Sequence, residues 1–163
     1  MMDAYVIRPA GVQDARGIAQ VHVSAWREAY VDILPADYLS TVSLAAREEA
    51  WRKMLSQGAP DVLVAEIKDD IVGFVSYARS RDEDSTPETG EISAIYVAAA
   101  RWSSGVGRSL WLEAKNGLTR QGYVTVTVWV LADNARAMWQ CAIPAAVFLV
   151  GLPERTERRL STL

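Results

Sequence analysis

The residues of this chain best suited to binding chemistry lie between Glu91 and Leu110, in EISAIYVAAARWSSGVGRSL. An apolar strand runs into a Gly-x-Gly turn at Gly105 and Gly107, and an amphipathic helix follows at once. The first-turn amides of such a helix have no partners within it and point into the loop, where they can hold an anion such as a phosphate. Glycine has no Cβ, so the backbone can take positive φ and a bulky anion can approach the main chain closely. An ordinary glycine turn between a strand and a helix has the same local pattern. No Lys-Ser/Thr follows the second glycine and no third glycine stands three residues on, so neither a Walker-type loop nor the dinucleotide fingerprint is present. Other chemistry-bearing side chains are sparse, with His22 the only histidine and Cys141 the only cysteine. A metal centre needs several ligands, so no metal is expected and His22 reads as a structural or surface residue. One cysteine excludes an internal disulfide and suits a reducing compartment.

The elements that must position this loop follow from periodicity. Tyr5 to Arg8 reads as a first strand ended by Pro9, and Val12 to about Ala29 as a helix whose buried face carries Ile18, Val21, Ala25 and Ala29. Ser43 can cap a second helix with Ala50, Trp51, Met54 and Leu55 on its apolar side and Arg47, Glu48 and Glu49 toward water. Asp61 to Glu66 and Ile71 to Ala78 form an antiparallel hairpin about a polar turn at Lys68 to Asp70. The stretch RSRDEDSTPETG is acidic and proline-broken, hence a solvated loop. After the Gly-x-Gly turn, Val106, Leu110, Ala114 and Leu118 recur four apart and form one packing face. Tyr123 to Leu131 has apolar groups on both faces, as a central strand does. In the tail, a buried strand is expected around Val147 to Val150, and ERTERRL reads as solvated.

The order strand, AxxRWSSGVGRSLW, helix, strand YVTVTVWVL and then Asn134 resembles motifs A and B of the GCN5-related N-acetyltransferase (GNAT) superfamily, from the first strand to about Ala137. The resemblance implies an α+β fold, an α/β/α sandwich whose mixed central sheet splays between its fourth and fifth strands, with flanking helices. It also implies acetyl-CoA as cosubstrate, with no metal. The backbone of Ile95, Tyr96 and Val97 would pair with the pantetheine arm like a missing strand, one amide polarising the thioester carbonyl. Trp102, Ser103, Ser104, Gly105, Val106, Gly107 and Arg108 would form the pyrophosphate loop, with Asn134 a further cofactor residue. Trp102 stands where the family has Gln or Arg, which shifts phosphate binding onto the amides and onto Arg101 or Arg108.

Amine acetylation by direct attack needs a base, because an amine with pKa ~10.4 is mostly protonated at neutral pH. Glu91 is the candidate: alternation places it on the strand face of Ser93, Ile95 and Val97, and related enzymes carry a catalytic Glu near this place. A strand-end carboxylate in solvent is the plainer alternative. In the family segment N-x-x-A-x-x-F-Y, Asn134 and Ala137 match, but Gln140 and Cys141 replace the final pair, so the usual tyrosine acid is missing. Trp26 and Tyr30, four apart in the first helix, occupy the place of acceptor-site residues in related enzymes; core packing is the other role open to Trp26.

The 163 residues suit a single domain, residues 1–163, and 50% hydrophobic residues with six Trp can fill its core. With 17 basic and 20 acidic residues the net charge is −3, which provides no general attraction to nucleic acid or anionic membranes. The start MMDAYVIRPAG has no apolar targeting core and no run is long enough to span a bilayer, so a cytoplasmic location is expected. The expected activity is N-acetylation of a primary amine on a small molecule or peptide. A noncatalytic acyl-CoA-binding module is the alternative from another class, and a nucleotide-binding protein a third. The tail offers room for one more strand where family members commonly have two, so an open edge beside AAVFLV leads to the expectation of a homodimer.

Overall fold

The computed structural model describes residues 4–30, 32, 35–37, 43–131 and 157–162, of which 29–30, 129–131 and 157–162 are described as backbone only. The elements are β1 (Val6–Pro9), α1 (Ala15–Tyr30), α2 (Leu44–Gln57), β2 (Asp61–Ile67), β3 (Asp70–Arg79), β4 (Thr89–Val97), α3 (Val106–Arg120), β5 (Thr125–Leu131) and β6 (Glu157–Thr162). Short 3-10 turns at Val12–Asp14 and Ala99–Arg101 precede α1 and follow β4. Among the described residues six strands form one sheet in the order β1-β2-β3-β4-β5-β6. Neighbours are antiparallel except β4 and β5, which are parallel because α3 crosses between them.

Helices cover both faces of the sheet. On one, Val106, Leu110, Ala114 and Leu118 of α3 are at most 1% exposed and pack on Val75, Ile92, Ile95, Val126 and Val128. Burying a leucine of this kind contributes roughly 1.5–3 kcal/mol. On the other, Ile18, Ala19 and Trp26 of α1 and Trp51 of α2 pack on Val62, Val64, Phe74, Ala94 and Tyr96. This is the expected α/β/α sandwich.

Local chemistry explains the element ends. The β2–β3 hairpin turns at Lys68 and Asp69, both with positive φ (49° and 70°), the backbone of a two-residue turn whose twist matches the strands. Ser43 caps α2, its Oγ accepting from the Ala46 N–H at 3.3 Å. Arg8 of β1 binds Asp14 through two nitrogens (2.8 and 2.9 Å) and also donates to Glu66, while the Gly11 N–H donates to Asp14 at 2.7 Å. These bonds tie the start of α1 to β1 and β2. The Arg8 guanidinium holds the Asp14 carboxyl below the usual range, and the two carboxylates raise Arg8 in turn.

Four expectations change. Val12–Asp14 is a 3-10 turn, so α1 starts at Ala15. Ala50 is exposed and Leu44 joins Trp51, Met54 and Leu55 on the packed side of α2. The acidic loop is shorter than its composition suggests, because β3 runs to Arg79 and β4 begins at Thr89. The polar tail is not simply solvated: Glu157–Thr162 forms β6, paired antiparallel to β5 from Val126↔Thr162 to Leu131↔Glu157. Nothing in ERRLST alternates, so the backbone ladder makes this strand. It covers the edge of β5, which removes one ground for expecting a homodimer; the AAVFLV run and the strand expected at 147–150 lie outside the described residues.

Candidate active site

The loop between β4 and α3 takes its shape from a few backbone decisions. The Ala98 N–H donates to Val72 O (2.8 Å), and the Arg101 and Trp102 amides donate to Ala98 O and Ala99 O (2.8 and 3.1 Å), which closes the 3-10 turn. Ser103 (φ 61°) and Gly105 (φ 89°) then reverse the chain into α3. Gly107 does not take positive φ; that role expected of both glycines falls to Gly105 and Ser103. The first bond into α3 is Ser109 N–H to Gly105 O at 3.0 Å, so the amides of Val106, Gly107 and Arg108 precede the helical ladder. Among the described residues no side chain caps this 15-residue helix.

The loop leaves the room an anion needs. A Cβ on Gly105 would meet only the Tyr5 hydroxyl, at 3.7 Å, and one on Gly107 only a Val97 methyl, at 3.5 Å. Exposed Arg108 and half-buried Arg101 add positive charge. Amides, a helix N-terminus and two arginines form a donor set that fits the phosphates of a coenzyme A. Two side chains of the loop donate to nearby backbone carbonyls. Trp102 Nε1 donates to Val97 O at 2.8 Å, and the Ser104 hydroxyl donates to Arg101 O. Tyr5, not singled out in the sequence, reaches the loop from before β1, its hydroxyl 2.9 Å from Ser109 Oγ. Its separation of 104 residues from Ser109 left no local signal.

Beside the loop the sheet opens. β5 pairs with β4 only over Thr89–Ile92, whereas β4 continues to Val97 along β3 and β5 continues to Leu131 along β6. Ser93 to Val97 therefore present an edge not bonded to β5. The same stretch carries a β-bulge. Ser76 pairs with Ala94 but Tyr77 pairs with Ile92, leaving Ser93 as the extra residue. Its hydroxyl lies 2.9 Å from Ser76 Oγ and donates to Ser76 O at 3.2 Å. The bulge turns Ile92 and Ile95, three apart, to the same α3 face. Glu91 consequently lies on the opposite face with Ala94 and Tyr96, and not with Ile95 and Val97 as simple alternation predicts. The three-residue spacing of the isoleucines in EISAIYV was the available signal.

Glu91 is 5% exposed, which excludes the solvated strand-end alternative. Its Oε2 accepts from the Arg81 N–H (3.0 Å) and its Oε1 from the Arg81 guanidinium (3.1 Å). Further along this face, His22 lies under the sheet with its Nδ1 accepting from Trp51 Nε1 at 3.1 Å and its ring stacked on Tyr96 at 4.9 Å. Burial, helped by nearby Arg47, pushes His22 down to about 3, so it is a neutral packing residue. Trp26, proposed for the acceptor pocket, is 3% exposed and belongs to the core between α1 and the sheet. Tyr30 closes α1, and its side chain is outside the described residues, as are Asn134 and Cys141. Among the described residues no group of acidic, His and Cys side chains could hold a metal, and no helix is long and apolar enough to cross a membrane.

Comparison with known proteins agrees with this geometry. Residues 23–141 match the model of the acetyltransferase (GNAT) family. The chain is 34% identical over 129 residues to a Bacillus subtilis (strain 168) protein called uncharacterized N-acetyltransferase YuaI, covering 78% of this chain and 72% of that one. The PaiA N-acetyltransferase of Thermoplasma acidophilum, solved in complex with coenzyme A, superimposes with a TM-score of 0.76 at 16% identity, over 97% of this chain and 98% of that one. A putative acetyltransferase of Salmonella typhimurium, yncA, solved with acetyl-CoA, gives 0.68 at 21% identity, over 98% and 94%.

Proposed function

The chain belongs to the acetyltransferase (GNAT) family, and from that premise we propose that it moves the acetyl group of acetyl-CoA to a primary amine of a small molecule or peptide, with Glu91 as general base. The observation that carries this reading is the juxtaposition along β4. An amide-lined loop stands at its C-terminal end, an edge not bonded to β5 spans Ser93–Val97, and a buried carboxylate lies just before the edge. From Glu91 to Val97 the strand spans roughly 20 Å. That length suits an extended arm anchored by its phosphates at Val106, Gly107 and Arg108 and aligned by the backbone of Ile95, Tyr96 and Val97.

When bound, acetyl-CoA supplies a thioester whose carbonyl carbon is the electrophile. The amine nitrogen forms the new N–C bond, the C–S bond breaks, and the proton lost by the amine passes to the Glu91 carboxylate, directly or through a water. The thiolate leaves with the bonding pair and takes its proton from solvent, since Cys141 replaces the family's tyrosine acid. An amide of the β4 edge polarises the carbonyl as negative charge develops on its oxygen. Glu91 lies on the sheet face opposite α3, which is the side from which the amine would approach.

Calorimetric titration with acetyl-CoA, run beside a thiol-release assay on alkylamines, amino sugars, amino acids and lysine peptides, tests the proposal. Binding together with turnover on one amine class supports it. Binding without turnover on the whole panel replaces it with the noncatalytic acyl-CoA module, and absence of both removes each.

A further inference from the structure

Arg81 is drawn into this site by a contact that sequence reading did not provide. It sits two residues past the end of β3, in the loop 80–88 that joins β3 to β4. Its main chain and side chain both bind Glu91, the N–H at Oε2 and the guanidinium at Oε1. The two side chains differ sharply in environment, with Glu91 6% exposed and Arg81 78%. One partner is fixed in the sheet and the other reaches in from solvent.

The loop does not depend on that side chain for its shape. The Ser80 N–H donates to Thr89 O (2.9 Å), the Asp82 N–H to Ser80 Oγ (3.3 Å), and the Ser85 N–H and hydroxyl to Asp82 O (3.1 and 2.7 Å). At the return, the Thr89 N–H donates to Thr86 O and the two threonine hydroxyls lie 3.0 Å apart. The Arg81 amide is thus presented to Glu91 whatever the side chain does, and the guanidinium is the separable part. Arg81 is also the one basic residue of the loop, beside Asp82, Glu83, Asp84 and Glu88. Without it, every charged side chain of the loop would be acidic.

We propose that Arg81 is a positioning residue for Glu91: by engaging both carboxylate oxygens from one loop it holds the side chain in one rotamer at the opening of the sheet. Each oxygen keeps a second lone pair for the amine or a water. This rests on the reading of Glu91 as the base, and the experiment separates the two.

Arg81→Met keeps the amide and the aliphatic stem and removes the charge. With acetyl-CoA and the panel amine of fastest turnover, kcat is expected to fall about fivefold, the size an ion pair with one exposed partner supports. Acetyl-CoA affinity and the thermal midpoint should stay at wild-type values. Added guanidinium at millimolar concentration should restore part of the loss, Arg81→Lys should retain more activity than Arg81→Met, and Arg81→Met should cost nothing further in an Glu91→Gln background. Wild-type kcat in Arg81→Met, a loss accompanied by a lowered midpoint and no rescue, or an undiminished loss in the Glu91→Gln background would each overturn the proposal. Wild-type turnover in Glu91→Gln, or no turnover on any panel amine, removes the base reading and this inference together. A loss in Glu91→Gln with none in Arg81→Met removes this inference alone.

Discussion

The two loop glycines should respond to alanine with opposite signs in stability and the same sign in binding. Gly105 has φ 89°, where an L side chain is strained, while Gly107 lies in the first turn of α3 without positive φ. Gly107→Ala therefore stiffens the unfolded chain without native strain, because its Cβ meets Val97 at an ordinary 3.5 Å. It should stabilise the fold by about 0.4–1 kcal/mol, raising Tm by roughly 1–4 °C for a chain of this size. Gly105→Ala should cost about 1–2 kcal/mol and lower Tm by a few degrees, through backbone strain, since its Cβ meets only the Tyr5 hydroxyl, at an ordinary 3.7 Å. Either methyl group adds bulk beside the amides proposed to hold the phosphates. Loss of one amide bond to a charged group, about 1.5–3 kcal/mol, weakens acetyl-CoA binding by roughly 10- to 150-fold. Valine at either position should abolish binding in a folded domain. Thermal melts and calorimetry on the same preparations provide both readouts. A folded Gly107→Val variant with wild-type affinity would refute the phosphate loop, and a stabilising Gly105→Ala would refute its backbone assignment.

His22 makes stability pH-dependent. Its folded value, about 3, lies below the ordinary 6.5, so the unfolded chain binds the extra proton between these limits. The stability this provides is complete above about 6.5 and falls with pH toward about 3, by up to ~1.4 kcal/mol per pH unit. Melts of His22→Gln, which can still accept from Trp51, should show a shallower acid decline than wild type; equal slopes would exclude this source. Asp14→Ala should cost about 1–3 kcal/mol, because the Gly11 amide and Arg8 lose their shared partner. Denaturant unfolding with a change under 0.5 kcal/mol would reduce that network to a surface pair. Trp102→Phe should weaken acetyl-CoA binding less than tenfold, since its indole N–H is committed to Val97 O; a larger loss in calorimetry would give Trp102 a part in the phosphate site.

The parts of the fold written as periodic patterns were legible. The α3 stripe at four-residue spacing, the Ser43 cap and the β2–β3 hairpin each depend on residues close in sequence, and each forms where those residues stand. Registry between distant segments was not legible. The bulge at Ser93 is created by pairing β4 with β3, so Glu91 changes face, and its one local trace is the three-residue spacing of Ile92 and Ile95. Arg81 and Tyr5 reach the site through loops and long separations, which leave no period to read. β6 is polar and held by its ladder with β5, so composition described it as solvated tail. Trp26 has one sequence pattern for core and for pocket, and only its burial distinguishes the two.

If Glu91 takes the amine proton during acetyl transfer, the turnover of Glu91→Gln, measured beside its acetyl-CoA affinity, must show it. The substitution keeps the size of the side chain and a carbonyl oxygen to accept from the Arg81 amide, and removes the basic carboxylate. A loss of about 10²-fold or more in kcat with nearly unchanged affinity is the predicted result. Wild-type kcat in the folded variant would exclude Glu91 as the base and leave it a buried strut of the β3–β4 hairpin.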